Sequence, residues 1–241
     1  MSCLADFFAE MDPFLRGERS AEEVLARLGP SPSGVRRFAL YAELVRRQRR
    51  GIIDHFYRPV AAAAEAKETG LFGRLRDAYL VQHPPAHWTP NEAARAFPGF
   101  LAEQPVVDPQ LVSLADYAWA RFSVMHAAHC PGDLGVEAAI LVRHYDWDVA
   151  TYSEAVERGA EDVELRATPR TLLLGRHRSL STLVVLTPSL AALIAMAVAS
   201  GRRPAIPAGL SAAMVEEEAR ALEARGLFPD GAAKLVRERL A

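Results

Sequence analysis

The sequence predicts an α+β fold in two domains, all-helical over residues 1–130 and a small strand-and-helix unit over residues 131–241. Three observations predict it. Apolar side chains recur at three- and four-residue spacing through the first half, the period that gathers them on one face of a helix. Cys130-Pro131-Gly132-Asp133 then interrupts the pattern, as Pro and Gly clusters do. Beyond it, short aliphatic and β-branched runs precede capped apolar helices, and strands followed by helices in that order build an α+β unit.

In the first domain, residues 4–28 read as two short helices, LADFFAEM and AEEVLARL. Ser20 with Glu23 three residues on makes a capping box at the start of the second. After a loop over Gly29–Gly34, the stretch from Val35 to Phe56 reads as one long helix. It places Phe38, Tyr41, Val45, Ile52 and Phe56 on or near one stripe, with Arg36, Arg37, Arg46, Arg47, Arg49 and Arg50 on the other side. Helix resumes after Pro59, is disturbed at Gly70 and Gly73, and stops before Pro84-Pro85, because a residue preceding proline avoids the helical region. Asn91 is expected to cap a short helix leading to FPGFL at 97–101. Val112 to His129 is expected to form a long helix with Leu114, Ala118, Phe122 and Met125 on its apolar stripe and Trp119 beside it.

In the second domain, Ala138 to Arg143 is a strand or a helix end, Trp147 to Arg158 a short helix and Val163 to Ala167 a strand. Leu172–Leu174 and Leu180–Leu186 read as a hairpin around the polar segment Gly175–Ser179. Thr187 is expected to cap a helix whose first position is Pro188, where the missing N–H is harmless. Its stripe is Leu190, Leu193, Ile194, Ala197 and Val198, and Gly201 ends it. Ser211 opens a further helix with Val215, Ala219 and Leu222 inward, finishing at Gly226 with Leu227 and Phe228 folding back. Leu180 to Ser200 holds no charge and is long enough to span a bilayer. The Thr-Pro-Ser interruption around Pro188 would leave backbone groups unbonded in lipid, so the stretch reads as strand and helix and no membrane partner is expected.

Half the residues are hydrophobic and the net charge is -2, which excludes wholesale disorder and any global basic field. Two cysteines are too few for a disulfide framework, and the chain shows no basic segment leading into an apolar core, so a reducing cytoplasm is expected. His126, His129 and Cys130 form an H-x-x-H-C group with no further ligand at diagnostic spacing, His144 being the nearest. The carboxylates of Asp146 and Asp148, two residues apart, suit capping better than joint acid–base work. G-x-S-x-G, the P-loop and G-x-G-x-x-G are all absent from the sequence, so no catalytic set is expected. The strand Leu180–Leu186 is apolar on both faces. At a sheet edge it would accept an extended peptide, with pockets lent by the last helix, and a proline at Val184 would then remove a ladder donor. The other reading is a strand covered on that side. The six-arginine face suits phosphates, an acidic partner or plain solvation.

The segments Arg37-Phe38-Ala39-Leu40-Tyr41, Gly51–Phe56, RDAYLVQHPP (Arg76 to Pro85), FPGFL (Phe97 to Leu101) and LADYA (Leu114 to Ala118) resemble, in order and spacing, the N-terminal helical domain of the HvfC/BufC family. The second half is similar to the same family, with a strand, a basic turn at Arg176–Arg178, a strand to Leu186 and an aliphatic helix ending Ala199-Ser200-Gly201. The helical domain of that family carries a DNA-binding label. The resemblance implies a partner protein of a multinuclear non-heme iron-dependent oxidative enzyme that modifies ribosomally made precursor peptides. Iron and chemistry then belong to the other subunit, and this chain needs no cofactor of its own. It also implies that the second domain is a winged-helix-like peptide-recognition domain. In this reading the leader peptide meets Leu180, Ser181, Thr182, Leu183, Val184, Val185 and Leu186 on the strand, and Met214, Glu217, Glu218, Ala221 and Leu222 on the last helix. The enzyme meets Arg36, Arg37, Tyr41, Arg46, Arg47, Arg50 and Trp119. The alternative is a DNA-binding regulator using the 36–50 helix, against which stand the slightly negative charge and the run Glu216-Glu217-Glu218.

Overall fold

The computed structural model describes residues 4–16, 18–83, 90–126 and 140–240. The chain divides into two compact units, Met1–Ala115 and Asp116–Ala241. The division falls inside a helix; the Cys130–Asp133 break lies outside the described residues.

The first unit is helical throughout its described residues, with α1 (Leu4–Arg16), α2 (Ala21–Leu28), α3 (Val35–Phe56), α4 (Arg58–Lys67), α5 (Leu71–Gln82), α6 (Phe97–Ala102) and the start of α7 (Pro109–His126). The capping box forms: the Glu23 N–H donates to Ser20 Oγ at 3.2 Å, and the Ser20 N–H donates to Glu23 Oε2 at 2.7 Å. Phe14 of α1 stacks on Phe38 of α3 with centroids 4.4 Å apart, closing a small core with Met11, Val24 and Ala42. Glu10 receives both Arg19 and Arg27. Burial opposes its ionisation, but the Arg27 hydrogen bond and the two cations outweigh it and hold this carboxyl below the usual range.

An aromatic cluster forms the other centre of the unit. Tyr57, Tyr79, Phe97 and Phe100 are all buried, with Phe97 4.6 Å from Tyr57 and 5.1 Å from Tyr79. Both phenols need an acceptor once buried and find it in one place. Tyr57 Oη donates to the Ala94 carbonyl at 2.6 Å and Tyr79 Oη to that of Ala93. These bonds hold Pro90–Ala94, which is a 3-10 turn and not the Asn91-capped helix expected.

In the second unit, β1 (Ile140–Tyr145), β2 (Arg170–Arg176) and β3 (Leu183–Leu186) form an antiparallel sheet in that order. The strand expected at Val163–Ala167 is irregular; its residues alternate between half-buried and exposed and pair with no strand among the described residues. Asp148, one of the paired carboxylates, caps α8 (Val149–Glu157) by accepting from the Thr151 N–H. Side chains of Ile140, Val142, Leu173, Val184 and Leu186 share one face of the sheet. They pack with α9 (Leu190–Ala199), α10 (Ala212–Ala224) and α11 (Ala232–Leu240), the last in a stretch left unassigned by the sequence reading. On the other face, Tyr145 Oη donates to Asp116 at 2.8 Å and Arg176 Nη1 to the Met125 carbonyl at 2.8 Å, so the second half of α7 crosses there.

The cap of α9 is Ser189, two residues later than Thr187; its hydroxyl accepts from the Ala192 N–H at 3.0 Å. The hydroxyl donates in turn to Glu218 Oε1 at 2.8 Å, and that second partner favours it over Thr187. The inward side of α9 is a small-residue face of Ala191, Ala192, Ala195, Val198 and Ala199 with Ile194, while Leu190 is exposed. The end of α10 follows the sequence reading. The Leu227 N–H donates to the Leu222 carbonyl and the Gly226 N–H to that of Glu223, with Gly226 at φ 66°, which is the glycine-ended Schellman arrangement.

Gly226→Ala places a Cβ 2.4 Å from the His177 ring in a left-handed conformation, and Gly175→Ala one 2.3 Å from Leu227 Cδ2. Each is expected to lower stability by about 1–3 kcal/mol in urea unfolding, whereas Gly209→Ala, open on all sides, meets only backbone strain. Burial also pushes the Tyr79 phenol up to about 12 from 10.0. A folded value above the unfolded one favours the neutral form, so this contribution is complete below pH 10 and is lost as pH rises towards 12. Tyr79→Phe is expected to flatten that alkaline decline in thermal melts.

Candidate functional site

β3 lies at an edge of the sheet among the described residues. It is four residues long, not seven. Leu180, Ser181 and Thr182 belong to the turn, because Nδ1 of His177 accepts the N–H groups of Ser179 and Leu180 at 3.2 and 3.1 Å and Ser181 takes φ 52°. The turn closes with the His177 N–H donating to the Thr182 carbonyl at 2.8 Å. That bond fixes the phase of the ladder. Antiparallel pairs alternate between bonded and non-bonded. With 177 and 182 bonded, Gly175↔Val184 and Leu173↔Leu186 are the bonded pairs. Val184 and Leu186 therefore direct their N–H and C=O to β2, and Leu183 and Val185 direct theirs outward.

Two hydrogen bonds tie α10 to the segments on either side of β3. The Arg178 N–H donates to the Gly226 carbonyl at 2.8 Å at the turn end, and Ser189 reaches Glu218 beyond the other end. The helix thus runs beside β3 in the opposite direction. Its two flanks are distinguishable by their partners. Glu216, which pairs with Arg237, and Glu223, which accepts from the Ala233 N–H, face α11. Val215, Ala219 and Leu222 are core. The flank towards Ser189 is the ridge Met214, Glu218, Ala221 and Arg225, spaced three or four apart.

Of the helix residues expected to meet a peptide, Met214, Glu218 and Ala221 lie on that ridge and Glu217 on the outward side. Leu222 is only 2% exposed, so it holds the helix in place and offers no contact surface. Three residues at the edge were missed by the sequence reading: Leu190, 54% exposed, Arg178 in the turn and Arg225 on the ridge. Spacing alone puts Leu190 on the apolar stripe, Arg178 reads only as part of a basic turn, and Arg225 carries no local signal.

The basic helix resolves differently. Arg46 pairs with Glu43 at 3.2 Å, Arg50 with Asp77 at 3.2 Å, and Arg49 donates to the carbonyls of Leu80 and His83 at the end of α5. Half of the six arginines are thus engaged within the unit. Arg36, Arg37 and Arg47 have no ion-pair partner among the described residues and share an exposed stripe with Leu40, Tyr41 and Leu44, each more than half exposed. A groove of ≈ 610 Å³ runs along Arg36, Arg37, Leu40 and Glu43. Tyr41, assigned to the buried stripe by periodicity and to the docking set by resemblance, points outward. Trp119 is half-buried against Phe122 at 5.1 Å and belongs to the second unit.

His126 stacks on Phe122, and its Nδ1 is 2.9 Å from the Phe122 carbonyl; His129 and Cys130 lie outside the described residues. Among the described residues no group of three His, Cys, Asp or Glu side chains is placed to share a metal ion, and no helix is long and apolar enough to cross a membrane. The 180–200 stretch is divided between turn, strand and a ten-residue helix. No protein-family model matches the chain, and no curated protein matches it in sequence.

The register separates two proline substitutions. Val184→Pro removes a donor aimed at β2 and is expected to destabilise the sheet by roughly 3 kcal/mol, seen as a lower urea midpoint. Val185→Pro removes only an outward donor, as edge prolines do, and is expected to leave the midpoint nearly unchanged. Equal losses would contradict the assigned phase.

Proposed function

We propose that this chain is the non-catalytic partner subunit of a multinuclear iron-dependent oxidative enzyme. It holds the leader of a ribosomally made precursor peptide on its second unit, as a winged-helix-like recognition domain does by adding a strand, and docks the enzyme largely through its first. The observation that carries the reading is the outward-facing backbone of Leu183 and Val185 beside the ridge of α10, a site for an extended peptide. The ordered resemblance to the HvfC/BufC family supplies the class of partner. The stripe of Arg36, Leu40, Tyr41, Leu44 and Arg47 supports docking of a protein in preference to DNA. Apolar side chains separate its cations, and three of the six arginines that DNA would need are already bonded.

Isothermal titration of candidate precursor peptides into the chain, and co-elution with a co-expressed multinuclear iron-dependent oxidative enzyme, test the two halves separately. Val185→Pro is expected to weaken peptide binding at least tenfold while leaving co-elution intact. Arg36→Glu with Arg47→Glu is expected to do the reverse. Peptide affinity unmoved by Val185→Pro overturns the edge as the binding site, and failure of the unaltered chain to co-elute with the enzyme overturns the docking half.

A further inference from the structure

We infer that the segment held at the β3 edge is five residues long in its recognised part and reads basic, any, aliphatic, any, acidic from its N-terminus, lying antiparallel to β3. The inference rests on the peptide-holding reading above and adds the chemistry of the peptide.

The length follows from the ladder. Leu183 and Val185 each present one outward N–H and one outward C=O, so an added strand makes four backbone bonds and gains nothing from greater extent. Antiparallel addition is the more stable per residue. It sets the first residue of the segment opposite Leu186 and the fifth opposite Thr182.

The alternation follows from the pleat. Paired residues project to the same face, and Val184 and Leu186 project to the face covered by α9, α10 and α11. The first, third and fifth residues of the segment therefore project towards the α10 ridge, and the second and fourth go to the side of Leu183 and Val185.

Charge then differs from end to end. Beyond Leu186 lie Glu217 and Glu218. Neither pairs with a cation among the described residues, and Glu218 accepts only the neutral Ser189 hydroxyl. At the turn end lie Arg178 and Arg225, whose guanidinium groups have no carboxylate partner among the described residues. Between them Ala221 is the smallest side chain of the ridge, and the third residue of the segment stands opposite the half-buried Val184, a pairing that suits an aliphatic side chain. Spacing agrees: Glu218 to Arg225 is roughly 10 Å along a helix, and the first to the fifth residue of a strand is about 13 Å, a difference that an arginine side chain spans.

Two fluorescein-labelled peptides test this against the full chain by anisotropy: GSG-Lys-Thr-Val-Thr-Glu-GSG, and the same peptide with Lys and Glu exchanged. The first is expected to bind about fivefold or more tightly than the second, two partly exposed pairs being at stake. The double variant Glu218→Lys/Arg225→Glu is expected to invert the order. Arg225→Glu alone, which leaves the Ser189 contact untouched, is expected to narrow the gap. Equal affinities that are both lost in Val185→Pro would overturn the charge pattern and leave the edge as a peptide site. Binding indifferent to Val185→Pro, or absent at millimolar peptide, would overturn both.

Discussion

The second unit is organised by the contact between the end of α10 and the start of the hairpin turn. Gly226 does three things there. It adopts the left-handed conformation that ends the helix, its carbonyl accepts the Arg178 N–H, and its lack of a side chain leaves room for the His177 ring. A second missing side chain completes the fit, since Leu227 occupies the space above Gly175 that a Cβ would take. With its ring packed against Gly226, His177 offers Nδ1 to the N–H groups of Ser179 and Leu180. The turn is thereby lengthened at the expense of β3, and the phase of the ladder is set. One helix terminus thus decides which backbone groups of the edge strand look outward.

What was legible in the sequence follows from how local its causes are. The helix from Val35 to Phe56 was read to its ends because its period persists over six turns. The α10 cap, its inward face and the fold-back of Leu227 and Phe228 were legible because a Schellman ending is specified within a few residues. The strand start at 180 was not, since Leu180 and Thr182 have strand-like side chains, and the histidine that draws them into the turn is positioned by Gly226, nearly fifty residues on. The cap of α9 was missed for a related reason. Thr187 and Ser189 both carry a suitable hydroxyl, and Glu218 decides between them from another helix.

The arginines of α3 show the limit most clearly. A helical projection treats six cations on one side as a single field. Glu43, Asp77 and the carbonyls at the end of α5 divide them instead, so that half become internal ties and the remainder share an outward stripe with leucines and a tyrosine. The candidate recognition surfaces of the two units consequently differ in kind. That of α3 rests on side chains, with charge interleaved among apolar groups, whereas that of β3 rests first on main-chain groups, which any extended sequence can meet, and only then on the ridge beside it.

An outward-facing strand edge carries a hazard of its own, because the groups that accept a peptide also accept another copy of the chain. Four residues is short for such a template, and the strand is bounded by a positive-φ serine on one side and Pro188 soon after the other. Growth of a continuous intermolecular sheet needs longer runs without proline. The turn held by His177 therefore shortens the exposed edge as well as setting its phase, and a mutation that released Leu180 to Thr182 into the strand would lengthen the edge and favour self-assembly.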